Sequence, residues 1–309
     1  MAITPAMIKE LREISGAGMS DCKKALEQVD GDIKKAVDFL REKGLAAAAK
    51  KAGRIAAEGV VAIESEGDRT VIVEVNCETD FVAINPDFKG YVTDIARQLL
   101  ASNAQTIEEF LAEKWAKEDL GTVEEVLKGK IATIGENLNI RRFERFEKTN
   151  SGIISSYVHG GGKIGSVLYI ECDNPNDELK EMGYNLCMQI AALLPRYLRR
   201  DEVDPEFIES ERRILATAAA NDPANASKPA QVIEKMVEGR LTKQLKETCL
   251  LEQEYVKDSS MNVQKYVDSV SKSIGASINL VRFACYEKGA GIEKKQEDFA
   301  EEVAKAMGN

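Results

Sequence analysis

The sequence predicts an α+β fold: a three-helix amino-terminal domain, then two copies of an antiparallel sheet-and-helix unit. Three observations support this prediction. Apolar residues at helical spacing fill the first positions, later segments recur in the same order, and strand-like segments follow one another directly. Because single strands do not alternate regularly with helices, a parallel sheet is not expected.

The first domain, residues 1–57, is predicted to contain three short helices and a linker helix. Ser20 or Asp21 is a suitable cap for the second helix. The third helix is expected to end at Gly44, and the alanine-rich stretch Leu45–Ala57 is expected to form the linker helix. Three helices in about 45 residues bury only a small core.

The remaining chain contains an internal repeat. Ile134–Glu147 and Ile274–Glu287, 140 residues apart, share six of fourteen residues. Upstream, Val71–Cys77 resembles Ser166–Cys172 at an offset of 95, and both are typical of strands. Each copy is therefore predicted to contain a hairpin of strands, helices and a closing strand.

The change in offset along the repeat locates an insertion. Asp94–Ala101 resembles Asn185–Ala192 at an offset of 91, and the offset then rises to 140, so the second copy carries 49 extra residues between these blocks. They are predicted to form a helical hairpin at about 201–251. The expected units are then core subdomain 58–147, core subdomain 148–287 containing the hairpin, and a carboxy-terminal helical module at 288–309. Within that module, Ile292–Met307 is expected to form an amphipathic helix.

Composition excludes several classes of protein. The 309 residues carry a net charge of -10, although residues 1–57 carry +3, from 11 basic and 8 acidic residues. An acidic chain is poorly suited to nucleic acid. A lone histidine, His159, excludes zinc sites with several His ligands, and six scattered cysteines argue against a disulfide framework. No cofactor or metal is expected.

The amino terminus carries charges where a signal peptide needs an apolar core, and no run approaches the roughly 18 apolar residues of a membrane span. A soluble, cytoplasmic protein without a membrane partner is therefore expected. The helical hairpin could pair two copies of the chain in a homodimer or simply project.

Two segments are candidates for function. His159–Lys163, HGGGK, lacks the spacing of a phosphate loop and is flanked by strand-like segments, so it is predicted to be a hairpin turn. Glu78–Val82 follows a strand and precedes Asn85-Pro86. From spacing alone, the aromatic Phe81 is expected to pack back into the core; the alternative is a presented ring that docks on another protein.

From these residues alone, the chain is a non-enzymatic binding protein of several domains. An adaptor that recruits a partner through its helical domain is one alternative. An enzyme that uses Cys77 or Cys172 as a nucleophile is another, although neither cysteine lies in a nucleophile motif.

Several segments resemble landmarks of one family, in the same order along the chain. Leu11–Leu26 and Glu74–Ala83 are similar to the two signatures of the elongation factor Ts family. Further similar segments are His159–Gly165, Ile134–Phe143 and Lys235–Arg240. Ser15 stands where that family usually has Thr, and Ile84 stands where it usually has a basic or amide residue.

The resemblance implies a guanine-nucleotide exchange factor for the translational GTPase elongation factor Tu, with a helical domain like ubiquitin-associated modules. It also implies the contacts. Phe81 would intrude near the magnesium site of the partner's GTPase domain, and Asp80 would contact the same region. Thr79 and Val82 would hold the loop.

By the same resemblance, Cys22 and Lys23 of the helical domain and the carboxy-terminal tail would touch the GTPase domain. His159 matches a position near a second contact, where the second core subdomain docks on the partner's β-barrel third domain.

Overall fold

A computed structural model describes residues 3–117, 120–225 and 227–293. The helices of this part are α1 (Pro5–Ser15), α2 (Met19–Gln28), α3 (Ile33–Lys51), α4 (Asp80–Ile84), α5 (Pro86–Ala101), α6 (Ile107–Ala112), α7 (Val123–Ile134), α8 (Asp177–Leu193), α9 (Pro205–Asn221), α10 (Ala230–Thr248) and α11 (Val263–Ile274). Its strands are β1 (Glu58–Glu66), β2 (Arg69–Cys77), β3 (Asn139–Glu147), β4 (Gly152–His159), β5 (Ile164–Cys172), β6 (Glu254–Tyr255), β7 (Asp258–Asn262) and β8 (Ile278–Glu287). Helices and antiparallel sheets occupy separate layers, which confirms the predicted α+β class.

Helices α1 to α3 form the predicted amino-terminal bundle. They close around a small core that includes Leu11, Cys22 and Leu26, all fully buried. Helix α2 begins after Gly18, and no side chain caps it. The expected caps Ser20 and Asp21 are therefore wrong, because the helix starts earlier and both residues lie within its first turn.

Helix α3 runs through 19 residues without a break, so the predicted stop at Gly44 is wrong. The glycine permits close packing instead, since a Cβ there would lie 3.5 Å from the Cβ of Ala132 on α7. Arg41 donates to the carbonyl of Leu120 at 2.8 Å. The predicted linker helix is therefore the second half of α3, which connects the bundle to α7. Its expected end at Ala57 is wrong, because α3 ends at Lys51 and residues 52–57 are not helical.

Each core repeat contributes a three-stranded antiparallel sheet to the described residues. Sheet 1 has the order β1-β2-β3, and sheet 2 has the order β4-β5-β8. Both carry a β-bulge at the equivalent place. The register shifts after Glu74, which leaves Arg141 unpaired in sheet 1, and after Tyr169, which leaves Val281 unpaired in sheet 2. The offsets of 95 and 140 relate these positions, so the predicted repeat is confirmed.

The two sheets pack face to face, and helices cover their outer faces. The layer between them is formed by Val61, Ile72, Phe146, Val167, Tyr169, Ala284 and Tyr286. Helices α5 and α7 cover sheet 1, while α8 and α11 cover sheet 2. Gly165 allows the close approach of the sheets, because a Cβ there would lie 2.6 Å from Cγ1 of Val61.

Contacts across this interface are reciprocal. The guanidinium of Arg142 lies 4.2 Å from the ring centre of Tyr286, and that of Arg282 lies 3.6 Å from the ring centre of Phe146. The repeat offset of 140 equates Arg142 with Arg282 and Phe146 with Tyr286. The same contact thus occurs twice about an approximate twofold axis, as in a symmetric dimer.

A buried charge, Glu74, lies at the interface of the sheets. Its carboxylate accepts hydrogen bonds from Arg141 at 3.0 Å, Arg142 at 2.6 Å, Asn76 at 2.9 Å and the backbone N–H of Gly289 at 2.7 Å. Burial alone would raise the pKa of this carboxyl. The Gly289 N–H, the Asn76 amide and the Arg142 guanidinium outweigh burial, so the pKa of Glu74 lies below its ordinary value.

The chain that leaves β8 crosses from sheet 2 to sheet 1. Lys288 forms an ion pair with Glu58, and Arg141 donates to the carbonyl of Ala290 at 2.6 Å. Beyond Glu293, the residues of the predicted carboxy-terminal helix lie outside the described part of the chain.

Helices α9 and α10 form the predicted helical hairpin. Val203, Leu241 and Leu245 pack at its base, and Arg212 on α9 bridges to Glu238 on α10 at 2.6 Å. In the ranges that the structure describes, no helix is both long and apolar enough to cross a bilayer.

Replacing Glu74 with Gln is expected to destabilise the core by about 3 kcal/mol at pH 7, because Arg141 and Arg142 lose their buried counter-charge. This is the low end for such pairs, since both guanidinium groups remain partly exposed. The lone tryptophan, Trp115, is buried in the core over sheet 1. The fluorescence of Trp115 during urea unfolding measures the loss of stability.

The loss of stability in Glu74→Gln is expected to depend on pH. A carboxyl whose pKa is lowered by folding stabilises the protein above its unfolded pKa, and this contribution disappears as the pH falls through the folded value. The two unfolding midpoints should therefore converge below about pH 4. Glu147→Gln removes only an exposed ion pair with Arg69 and serves as the control. An undiminished midpoint for Glu74→Gln at pH 7 would contradict the role of Glu74.

Candidate functional site

The chain turns at the end of β2 and presents an aromatic ring to solvent. Thr79 caps α4, since its hydroxyl accepts the N–H of Val82 at 3.3 Å. Val82 and Ala83 face the core over sheet 1, whereas Phe81 is 79% exposed. The expectation that this ring packs back into the core is therefore wrong, because the capped helix directs the neighbouring residues inward and Phe81 outward.

Ile84 continues the apolar surface that Phe81 begins. It lies three positions further along α4, on the same face of the helix, and is 67% exposed. Asp80 is also exposed. An exposed aromatic and aliphatic pair beside a carboxylate is typical of a protein-docking surface, since burying such a side chain yields roughly 1.5–3 kcal/mol.

A carboxylate from another element holds this turn. Glu136, just after α7, accepts the backbone N–H groups of Glu78 at 2.9 Å and Thr79 at 3.0 Å, and the Thr79 hydroxyl at 2.6 Å. In return, the carboxylate of Glu78 accepts the N–H of Asn137 at 2.6 Å. The position of α4 therefore depends on the end of α7 as well as on β2.

Other parts of the molecule meet at the same end of the sandwich. The carbonyl of Arg54, in the linker after α3, accepts from the Asn137 side chain at 2.8 Å, and the Arg54 guanidinium lies 3.5 Å from Glu78. The turn between β4 and β5 is also here, since Val61 of β1 donates to the Gly162 carbonyl at 2.8 Å. One end of the molecule thus gathers α4, the linker of the bundle and this turn.

The turn between β4 and β5 has the predicted structure. Gly160, Gly161 and Gly162 adopt φ values of 59°, 69° and 102°, which glycine tolerates because it lacks a Cβ. His159 is exposed at the end of β4, and its Nδ1 lies 2.8 Å from the hydroxyl of Tyr157. A strand rather than a helix amino terminus follows the turn, so it lacks the phosphate-binding arrangement.

The two candidate residues of the amino-terminal bundle are placed differently. Cys22 is fully buried, and its thiol donates to the carbonyl of Ala17 at 3.5 Å. Lys23 is exposed and forms an ion pair with Glu27. Lys23 therefore presents its side chain at the surface, and Cys22 holds the helix that carries it.

The cysteine thiols give little support to the alternative that the chain is an enzyme with a cysteine nucleophile. Burial, with the nearby carboxylates of Glu136 and Glu58, raises the pKa of Cys77 to about 12, so the nucleophilic thiolate is scarce at neutral pH. Cys172 is 4% exposed, in the core under sheet 2. Among the described residues, no group of three or more His, Cys, Asp or Glu side chains is arranged to hold a metal ion.

Sequence reasoning did not single out Glu136, although the repeat contains a signal for it. The equivalent residue in the second copy is Ala276. A charged residue in one copy, where the other has a small apolar residue, points to a task that only the first copy performs. The structure shows that this residue braces the turn carrying Phe81.

Comparison with known proteins agrees with this architecture. The family model described as elongation factor TS matches residues 78–290, and one described as a UBA-like domain matches residues 5–47. The elongation factor Ts of Clostridium kluyveri (strain NBRC 12016) is 50% identical over 307 residues, which is 99% of each chain. That of Clostridium tetani (strain Massachusetts / E88) is also 50% identical over 307 residues and 99% of each chain.

The elongation factor Ts of Clostridium botulinum (strain Alaska E43 / Type E3) is 49% identical over 308 residues, again 99% of each chain. The family model spans well over half of the sequence and begins at the turn that presents Phe81. Similarity of this extent and order shows that the chain belongs to the elongation factor Ts family of translation elongation factors.

Proposed function

We propose that the chain is a guanine-nucleotide exchange factor that binds elongation factor Tu in the cytoplasm and promotes replacement of GDP by GTP. Membership of the elongation factor Ts family supports this function. The observation that carries it is the braced turn with Phe81 79% exposed at its surface. A large apolar side chain held in water is best explained by a partner that buries it.

Exchange of this kind requires no bond-making residue in the factor. A factor that binds the nucleotide-free GTPase more tightly than the GDP-bound form must weaken GDP binding by the same ratio. Each tenfold weakening needs about 1.4 kcal/mol of differential binding. The factor therefore needs a rigid surface that fits only the nucleotide-free form.

Phe81 provides that surface as a wedge. Its ring enters the GTPase domain near the magnesium site and shifts the elements that hold the ion, so that Mg²⁺ and the diphosphate lose their mutual neutralisation. Asp80 contacts the same region. Thr79 holds the turn through its cap, and Val82 holds it by packing on the core. The Mg²⁺ belongs to the partner.

Other surfaces extend the interface. Lys23 is exposed on α2 and, with the carboxy-terminal tail, contacts the GTPase domain. His159, exposed at the end of β4, lies near the contact with the β-barrel third domain of elongation factor Tu. The partner is a protein, so the net charge of -10 does not oppose binding as it would with nucleic acid.

Phe81→Ala is expected to slow release of a fluorescent GDP from elongation factor Tu by about tenfold or more at a fixed factor concentration. The reason is that the buried ring contributes roughly 1.5–3 kcal/mol of differential binding. Stopped-flow fluorescence measures the release. Ile214→Ala, which truncates an aliphatic side chain 58% exposed on α9, is the matched control and should release GDP at the parental rate.

Parental release by a folded Phe81→Ala protein would contradict the wedge. If the parent protein binds elongation factor Tu yet accelerates no nucleotide release, the adaptor alternative would replace exchange.

Truncation after Glu293 is expected to weaken association more than it changes release from the complex. The truncated protein keeps the contacts of Gly289 and Ala290 with sheet 1, so the core remains intact. Titrating the factor against GDP release should therefore show a raised half-maximal concentration and a nearly unchanged maximal rate. Failure to release GDP even at saturation would show that the tail takes part in release itself.

A further inference from the structure

We infer that Glu136 is a positioning residue for nucleotide exchange: its carboxylate holds α4 in the conformation that presents Phe81, and thereby sets the rate of GDP release. The inference rests on the proposed function of Phe81. Glu136 lies outside the signature Glu74–Ala83, 55 positions further along the chain from Phe81, within the similar segment Ile134–Phe143.

Helix α4 cannot hold its own position. It has five residues, far fewer than an isolated helix needs for stability in water. The first N–H groups of a helix also lack partners within the helix. A short helix that must keep one orientation therefore depends on hydrogen bonds from elsewhere in the fold.

Glu136 supplies those bonds to the residues that start the helix. Its two oxygens accept from the N–H groups of Glu78 and Thr79 and from the Thr79 hydroxyl, at 2.6 to 3.0 Å. The same hydroxyl accepts the N–H of Val82. Glu136 therefore fixes the side-chain orientation of Thr79, Thr79 fixes the first turn of α4, and α4 carries Phe81.

The core itself does not require this carboxylate. The second repeat builds an equivalent sheet with Ala276 at the equivalent position. There, β5 leads into α8, which is 17 residues long and capped by its own Asn176. The carboxylate thus occurs only in the first repeat, where a short helix with an exposed aromatic ring follows the strand. There, Glu136 prevents the ring of Phe81 from collapsing onto nearby apolar surface.

The test is Glu136→Gln, measured as GDP release from elongation factor Tu over a range of factor concentrations. The amide keeps the size of the side chain but loses the charge and one acceptor. We expect the maximal release rate to fall about tenfold, the equivalent of one charge-assisted hydrogen bond, with a smaller change in the half-maximal concentration. A parental maximal rate would overturn the inference.

Glu125→Gln is the matched control. Glu125 caps the other end of the same helix, α7, by accepting the N–H of Thr122 at 2.8 Å. Both variants remove one carboxylate charge next to a terminus of α7, but the Glu125 carboxylate bonds within the amino-terminal cap of α7, whereas that of Glu136 bonds to the turn. The control is expected to keep the parental maximal rate. If both variants lose the same activity, Glu136 acts through stability alone and the inference fails.

A double-mutant cycle separates positioning from general damage. Because Glu136 acts through Phe81, adding Glu136→Gln to Phe81→Ala should cause no further loss of rate. Fully additive losses would overturn the inference while leaving the proposed function in place. A parental rate for Phe81→Ala alone would instead count against the proposed function. If Glu136→Gln does not fold, Glu136→Asp replaces it in the same double-mutant cycle. This variant keeps the charge on a shorter side chain, and the same outcome is expected.

Discussion

Face-to-face packing of two repeated sheets around one buried carboxylate is the constraint on which the rest of the molecule depends. Glu74 is fully buried, and a buried charge is tolerated only when it is paired and hydrogen-bonded. The β-bulge leaves Arg141 out of the strand ladder, and its side chain pairs with Glu74. In the second repeat, Tyr169 is equivalent to Glu74 and Val281 to Arg141. The charge cluster therefore has no counterpart in the second repeat.

This cluster brings distant parts of the sequence to one end of the sandwich. Gly289 donates to Glu74 and Ala290 accepts from Arg141, which ties the end of the chain to sheet 1. Strand β2, which carries Glu74, leads directly into the turn of Phe81. The proposed wedge follows the end of β2, and the segment that enters the tail is held by Glu74 of β2 and Arg141 of β3. Both are therefore attached to sheet 1, as a surface that recognises by fit requires.

The two repeats have different roles because of small differences in their sequences. Reciprocal contacts of Arg142 with Tyr286 and of Arg282 with Phe146 maintain the approximate twofold axis. The chain departs from this symmetry after β2 and β5, since β2 leads into the five-residue α4 with its exposed ring, whereas β5 leads directly into the 17-residue α8. Symmetry provides the stable interface between the sheets, and its local loss provides the candidate functional surface.

The sequence by itself determined the α+β class, the repeat, the hairpin insertion and the turn at Gly160–Gly162, because periodicity, offsets and turn residues are local signals. It also predicted the segment of Phe81, but from spacing alone it favoured a buried ring. Only the tertiary structure decided the exposure of Phe81, the brace by Glu136 and the continuity of α3 through Gly44. Each of these depends on contacts between residues far apart in the chain, and burial and hydrogen bonding across such distances leave no periodic pattern in the sequence.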